Sequence, residues 1–428
     1  MVNMKILVIG SGGREHAIAW KLAQSPNCKL VYVAPGNGGT ATENKVQNIN
    51  ITKIPDLLDF ALNNDIDFTI VGPELELSLG VVDTFRLHNL KIWGPTQFCA
   101  QLESSKAFAK EFMLKNNIPT AKYVIFDNDN QAKEYLKQQP FPIVIKADGL
   151  ASGKGVLVAA KLSEALSFID DIFTNNTFGK TQTKVVIEEF LDGVEASFIV
   201  MIDGKNILPM ASSQDYKRLL NGDAGPNTGG MGAYSPATIV SPQIHDKVIR
   251  EIITPVIEGM KNLGHEYSGF LYAGLMIDKH QNIKTLEFNC RFGDPETQPI
   301  LMRLESDFIE LINYGLNKQL NQIKAIWNSS YAVGVVIASH GYPQNPRKND
   351  IIDGLSEIAD KNIKVFHAGT TLKNNQLYTY GGRVLCIVAM DSEIKQAKAK
   401  AYQAINKINF AGMQYRSDIS DKSFNPKT

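Results

Sequence analysis

Thr285-Leu286-Glu287-Phe288-Asn289-Cys290-Arg291-Phe292-Gly293-Asp294-Pro295-Glu296 organises this chain. Its first half alternates as a strand does. Leu286, Phe288 and Cys290 point one way; Glu287, Asn289 and Arg291 point the other. Glu287 and Asn289 are hard oxygen donors of the kind Mg²⁺ takes, with water and substrate phosphate completing the shell. Arg291 suits an anion beside that ion. Gly293 and Pro295 end the strand, and Asp294 and Glu296 place charge at its mouth. An edge strand with a solvated polar face is the competing reading. It ranks second, because surface strands seldom alternate carboxylate, amide and guanidinium.

The whole chain sets bounds on this reading. Its 428 residues exceed one ordinary core, so two to four domains are expected. Lys plus Arg is 44 and Asp plus Glu is 44. With no net charge, no global field favours nucleic acid, and any phosphate affinity must be local. Cys28, Cys99, Cys290 and Cys386 are scattered without C-x-x-C spacing. A disulfide framework or zinc site is not expected, and a reducing compartment fits. No leader-like segment opens the chain, and no apolar run nears the ~18–20 residues that span a bilayer. A soluble cytoplasmic protein is expected, with no nucleic-acid or membrane partner.

Lys5-Ile6-Leu7-Val8-Ile9-Gly10 reads as a buried parallel strand, followed by a glycine turn and a helix from about Ala17 to Ala23. Such a turn binds anions through backbone N–H groups. A dinucleotide fingerprint fails here. Glu15 stands where its third glycine belongs, and no acid ends the next strand, Leu30–Ala34. Arg14 and His16 would complement a sugar phosphate. Gly12, Gly36 and Gly72 would share one rim at the strand ends.

In the middle, Lys106 opens a helix and Lys146 ends a β-branched strand. Asp148-Gly149-Leu150-Ala151-Ser152-Gly153-Lys154-Gly155 follows. It is no Walker loop: only three residues separate Gly149 from Gly153, and Gly155 replaces the Ser or Thr. A mobile hairpin lid over ATP phosphates fits better, with Lys106 and Lys146 as fixed charges and Lys154 as a closing one. Gly225-Pro226-Asn227-Thr228-Gly229-Gly230-Met231-Gly232-Ala233 reads as a long shaped loop.

The opening segment and this loop resemble the E-F-N-x-R-F-G-D-P-E and G-P-N-T-G-G-M-G-A signatures of the phosphoribosylamine–glycine ligases, within the ATP-grasp superfamily. The resemblance covers essentially the whole chain. It implies a multidomain α/β and α+β fold: a Rossmann-like parallel sheet over residues 1–103, an ATP-grasp domain over 104–325 with a lid at about 121–191, and a small α+β domain over 326–428. It implies ATP as co-substrate with Mg²⁺ or Mn²⁺, and glycine and 5-phosphoribosylamine as substrates. Lys106, Lys146, Gly153, Lys154, Glu188, Glu189, Leu191 and Glu195 would hold ATP. Backbone groups near Glu189 and Leu191 would read adenine with Phe190 beside it, and Glu195 would take the ribose. Gly12, Arg14, Gly36, Asn37, Glu74, Lys217, Asn227 and Gly230 would hold the other substrates.

Asp215, Arg291 and Asp294 remain alternatives for glycine. Arg291, Lys146 and Asp215 would be catalytic. Family members often carry a second metal carboxylate near Gly274. None stands there, so one fixed ion on Glu287 and Asn289 is expected. Ser420 replaces the glycine of the usual Asp-Ile-Gly ending, and the tail after Asp418 is expected to fray. A monomer is expected, with a dimer as the alternative. Two rival classes are a biotin-dependent carboxylase subunit and a non-catalytic nucleotide-binding protein. The first lacks its Met-Lys-Met tripeptide here. The second would have lost Glu287, Asn289 or Lys146.

Overall fold

The computed structural model describes residues 3–150, 155–175 and 184–423. Gly153 and Lys154 lie outside them. The N-terminal sheet has the spatial order Val46–Asn48, Cys28–Pro35, Met4–Gly10, Phe68–Val71, Ile92–Trp93, all parallel. Ile6, Leu7 and Val8 are fully buried, as strands covered on both faces require. The strand ends lie side by side. Gly36 N–H donates to Gly10 O at 3.2 Å, and Gly72 N–H donates to Ile9 O at 3.0 Å.

The first helix begins at Gly13, earlier than expected. The Glu15 carboxylate accepts from Gly12 N–H at 2.6 Å and so closes the first turn as a capping group. Gly10, at φ +127°, leaves the space this carboxylate fills. A Cβ there would stand 2.5 Å from Glu15 Cγ.

The central sheet is antiparallel, in the order Ile207–Pro209, Val194–Asp203, Ser268–Ile277, Ile283–Asn289. A second antiparallel sheet, Tyr123–Phe126, Val185–Glu189, Ile143–Ala147, Val156–Ala159, carries the helices Asp129–Leu136 and Leu162–Phe173. It has its own core around Leu136, Ile145 and Ile169.

The C-terminal sheet runs Gln214–Asp215, Gly232–Ser235, Tyr331–Ala338, Arg383–Asp391, Ile363–His367. It takes two strands from the middle of the chain, which corrects the reading of 225–233 as loop. Ala224–Asn227 pairs with Arg218–Leu220, and Gly232–Ser235 pairs with Tyr331–Ala338. Glycine suits this pairing because Gly334 O lies 2.7 Å from where a Gly232 Cβ would stand.

N- and C-terminal segments are tied through buried polar groups. Asn37 Nδ2 donates to His367 O at 2.8 Å, and His367 N–H donates to His16 Nδ1 at 2.8 Å. Glu43 pairs with His16 and Lys364. The tail does not fray through Ser423. Ile419 and Ser420 are fully buried, Arg416 pairs with Asp418 and Asp223, and Lys422 N–H donates to Tyr216 Oη at 3.2 Å. Among the described residues no helix is long and apolar enough to cross a membrane.

Two predictions follow from these contacts. Ser420 sits at φ +73°, with its buried hydroxyl unpartnered among the described residues. A left-handed non-glycine residue costs about 1 kcal/mol, and an unpaired buried hydroxyl costs more. Ser420→Gly should therefore raise the thermal midpoint in calorimetry. Burial opposes charge on Glu43, but His16 and Lys364 hold it down at about 2. A depressed carboxylate stabilises above its unfolded value of about 4.3, and the effect is lost as pH falls toward the folded value. Glu43→Gln should lower the unfolding midpoint at pH 7, and the gap to wild type should narrow below about pH 4.3.

Candidate active site

A cavity of about 860 Å³ opens where the four larger sheets meet the helix Lys106–Lys115. Its wall includes Lys106, Lys146, Asp215, Lys217, Leu286, Glu287, Asn289, Arg291 and Asp294, with Gly12, Arg14 and Glu74 at the other end.

The strand Ile283–Asn289 enters it with one irregularity. Gly274 lies opposite Glu287 and Leu275 opposite Thr285, so Leu286 is an extra, bulged residue. Strict alternation fails there. Leu286 does not join Phe288 and Cys290 in the core but lines the cavity. Its carbonyl accepts from Lys146 Nζ at 3.0 Å. Gly274 leaves no room for a side chain beside Glu287: a Cβ would meet Glu287 Cγ and Tyr272 at 3.3 Å.

Positive charge gathers at one end. Ser105 caps the helix through Phe108 N–H at 3.1 Å, which sets Lys106 on the cavity rim. Lys106 Nζ donates to Gly149 O at 2.8 Å. Glu188, expected among the residues that hold ATP, is buried between two ammonium groups. Lys146 lies 2.9 Å from its Oε1 and Lys110 lies 2.9 Å from its Oε2. Burial, reinforced by Lys146, lowers Lys110 to about 8. Burial opposes charge on Glu287 too, but Lys217, Lys146 and Lys106 outweigh it and hold the carboxyl at about 2. Asp215 moves the opposite way. Burial, with Glu296, Glu195 and Glu287 nearby, pushes it well above the carboxylate range, against the pull of Lys217.

At the other end Arg291 is gripped by two carboxylates. Its Nε donates to Glu74 Oε2 at 3.1 Å, and an Nη lies 2.8 Å from Glu103 Oε1. Glu103 Oε2 also accepts from Cys290 N–H at 2.7 Å. Burial sends Glu103 up to about 7, while Glu74 is held at about 2 by Arg291 and Arg14 despite its burial. Arg14 is turned onto Glu15 and donates to Phe292 O at 3.3 Å. Asp294 pairs with Arg383 at 3.1 Å and accepts from Gln298 at 3.0 Å.

Other expected residues stand elsewhere. Gly36 and Asn37 lie behind the wall. Asn37 is 7% exposed, with its amide donating to Ser11 O and His367 O, so it shapes the glycine turn and cannot offer that amide to a ligand. Gly230, at φ +112°, packs under Pro295 and Arg383, while Asn227 is on the wall and donates to Val156 O at 3.3 Å. Glu189 pairs with Lys284 and accepts from Lys122 N–H, and it lies off the cavity wall with Leu191 and Glu195.

The sequence reading missed Glu103, Lys110, Tyr342 and Arg383. Arg383 donates to Gly229 O and, at 2.6 Å, to Asp294 O; Tyr342 Oη accepts from Gly229 N–H at 2.9 Å. The available signal was Gly381-Gly382-Arg383, a glycine pair before a strand.

Comparison with known proteins places this geometry. Models of phosphoribosylglycinamide synthetase match in three parts: the N domain at 4–103, the ATP-grasp (A) domain at 104–297 and the C domain at 332–422. A phosphoribosylamine–glycine ligase from Neisseria meningitidis is 58% identical over 99% of this chain and 100% of its own length. A solved phosphoribosylamine–glycine ligase from Thermotoga maritima superposes with TM-score 0.84 at 33% identity, covering 97% of this chain and 100% of that one. A biotin carboxylase from Campylobacter jejuni reaches TM-score 0.71 at 15% identity over 96% of this chain and 92% of that one, a likeness of fold alone. This chain belongs to the phosphoribosylglycinamide synthetase family, whose members join an amine to an acid in an ATP-grasp fold.

Proposed function

We propose that this chain ligates glycine to 5-phosphoribosylamine with ATP, giving glycinamide ribonucleotide, ADP and phosphate in cytoplasmic purine biosynthesis. One observation carries the reading. Lys106, Lys146, Glu287 and Asn289 line the same cavity as Gly12, Glu74 and Arg291, so a triphosphate and a sugar phosphate can meet inside it. We divide the chain at 1–103, 104–325 and 326–428, with the lid at about 121–191.

A carboxylate is a poor acyl donor, because its oxygen leaves badly. Attack of the glycine carboxylate on the γ-phosphorus releases ADP and gives an acyl phosphate. The ribosylamine nitrogen then attacks the acyl carbon, phosphate departs, and the nitrogen loses a proton. Positioning and charge neutralisation are the protein's task. Lys106 and Lys146 meet the phosphate chain as point charges. Arg291, held by Glu74 and Glu103, faces the transferring group or the glycine carboxylate. Asp215 lies buried on the wall, and an arriving ammonium would favour its charged form.

No protein nucleophile is needed. All four cysteines are buried, and burial raises each thiol above its ordinary range.

The donors fit a divalent cation of the Mg²⁺ or Mn²⁺ type. Among the described residues no group of three His, Cys, Asp or Glu is poised as a cage. Glu287 and Asn289 offer oxygen donors, and such ions commonly take one or two carboxylates with phosphates and water. When bound, the ion neutralises phosphoryl charge.

Glycine-dependent ADP release in the presence of phosphoribosylamine tests the reading; release that needs bicarbonate and biotin instead would overturn it. Glu287→Gln should fold with a near-native circular dichroism spectrum and lose turnover by about 10²-fold or more. Wild-type turnover in that variant would remove Glu287 from the site.

A further inference from the structure

The Glu287 carboxylate on the cavity wall already has a cation against it, and the chain itself supplies it. Lys217 Nζ lies 3.4 Å from Glu287 Oε1 and 3.1 Å from Glu195 Oε2. The two carboxylates come from different strands, Ile283–Asn289 and Val194–Asp203. Both strands pair with Ser268–Ile277 between them. Glu287 lies opposite Gly274 and Glu195 opposite Met276, two residues along the same strand, so the acids share one face. With only hydrogen at Gly274, nothing separates them. Asp215, two residues before Lys217 in the chain, adds a third carboxyl on the cavity wall.

We propose that Lys217 is a tethered counter-ion: it stands at the metal's carboxylate while no nucleotide is bound, and leaves for the transferred phosphoryl group when the metal arrives with ATP. The inference rests on the reading of Glu287 as a metal ligand. The ammonium is a compact charge on a flexible four-carbon stem, suited to such a swing. Its side chain keeps 30% exposure and faces the same cavity as Lys106 and Lys146. The ion pair engages the same carboxylate that the ion would need. Free metal ion would have to displace a positive charge with nothing to receive it. Metal bound to nucleotide brings phosphate oxygens that receive it. The ion and the nucleotide therefore bind as a unit, and acid activation is coupled to their joint arrival. Lys217 acts here as a positioning residue.

Mn²⁺ binding to the full chain, followed by electron paramagnetic resonance and calorimetry, tests this without turnover. Nucleotide-free wild type should bind Mn²⁺ weakly, and Lys217→Gln should bind it tighter by roughly tenfold or more. Lys217→Arg keeps the charge and should bind no tighter than wild type. Mn²⁺ should also raise the thermal midpoint of Lys217→Gln more than that of wild type. Equal Mn²⁺ affinity in wild type and Lys217→Gln overturns the counter-ion role, as does tighter binding by Lys217→Arg. Glu287→Gln with a non-hydrolysable ATP analogue separates the two readings. If it binds Mn²⁺ as wild type does, the metal assignment fails; if binding is lost while Lys217→Gln leaves apo affinity unchanged, only the counter-ion role fails.

Discussion

Glu188 between Lys110 and Lys146 is the constraint on which the catalytic half of the molecule depends. Three elements meet there: the helix Lys106–Lys115 and the strands Ile143–Ala147 and Val185–Glu189. A fourth joins through Leu286 O, which receives Lys146 Nζ. Burying three charges gains little net stability, because desolvation offsets much of the attraction. Its effect is positional. Removing Glu188 would leave two buried ammonium groups without their carboxylate, a change typically costing about 3–5 kcal/mol. Lys146 is thereby fixed in direction while one ammonium face stays toward the cavity. The bulge at Leu286 is part of the same arrangement, because it turns a carbonyl toward the lysine just before Glu287.

The other half of the cavity is closed by the C-terminal segment. Arg383 binds the carbonyls of Gly229 and Asp294 together with the Asp294 carboxylate, so one guanidinium joins the glycine-rich turn to the segment just after the strand Ile283–Asn289. Tyr342 holds Gly229 from a second direction. The same segment reaches the N-terminal sheet through His367, His16 and Asn37. The C-terminal segment thus touches both ends of the cavity. Arg291 occupies the seam, held by Glu74 from the start of the helix Glu74–Ser78 and Glu103 from the helix Gln101–Ser104.

Much of this was legible in the chain. The apolar run before Gly10 gave the first parallel strand, and alternation about Glu287 placed two oxygen donors on one face. What escaped were relations between distant residues. Nothing local in Ile187-Glu188-Glu189 tells a buried ion-pair acceptor from an exposed charge; the two lysines that bury it lie 42 and 78 positions away. The bulge at Leu286 is a register effect, set by the partner strand. The glycine-rich loop misled for a related reason. Glycine is poor in strands through lost entropy, yet here a partner backbone approaches so closely that only glycine fits. Tail docking depends on Tyr216 and Asp223, some two hundred residues upstream.

Charge balance accounts for the remaining logic. The chain as a whole carries no net charge, so attraction for ATP and a sugar phosphate must come from placement. Four cations in this cavity are held by carboxylates, Lys146 by Glu188, Lys217 by Glu195 and Glu287, Arg291 by Glu74 and Glu103, and Arg383 by Asp294, while Lys106 rests on Gly149 O. An empty pocket of bare cations would repel itself and destabilise the closed form. Pairing relieves that repulsion but weakens each cation's pull on phosphate. Lys217 differs, since one of its two acids, Glu287, is the one that an arriving ion would claim under the proposed reading.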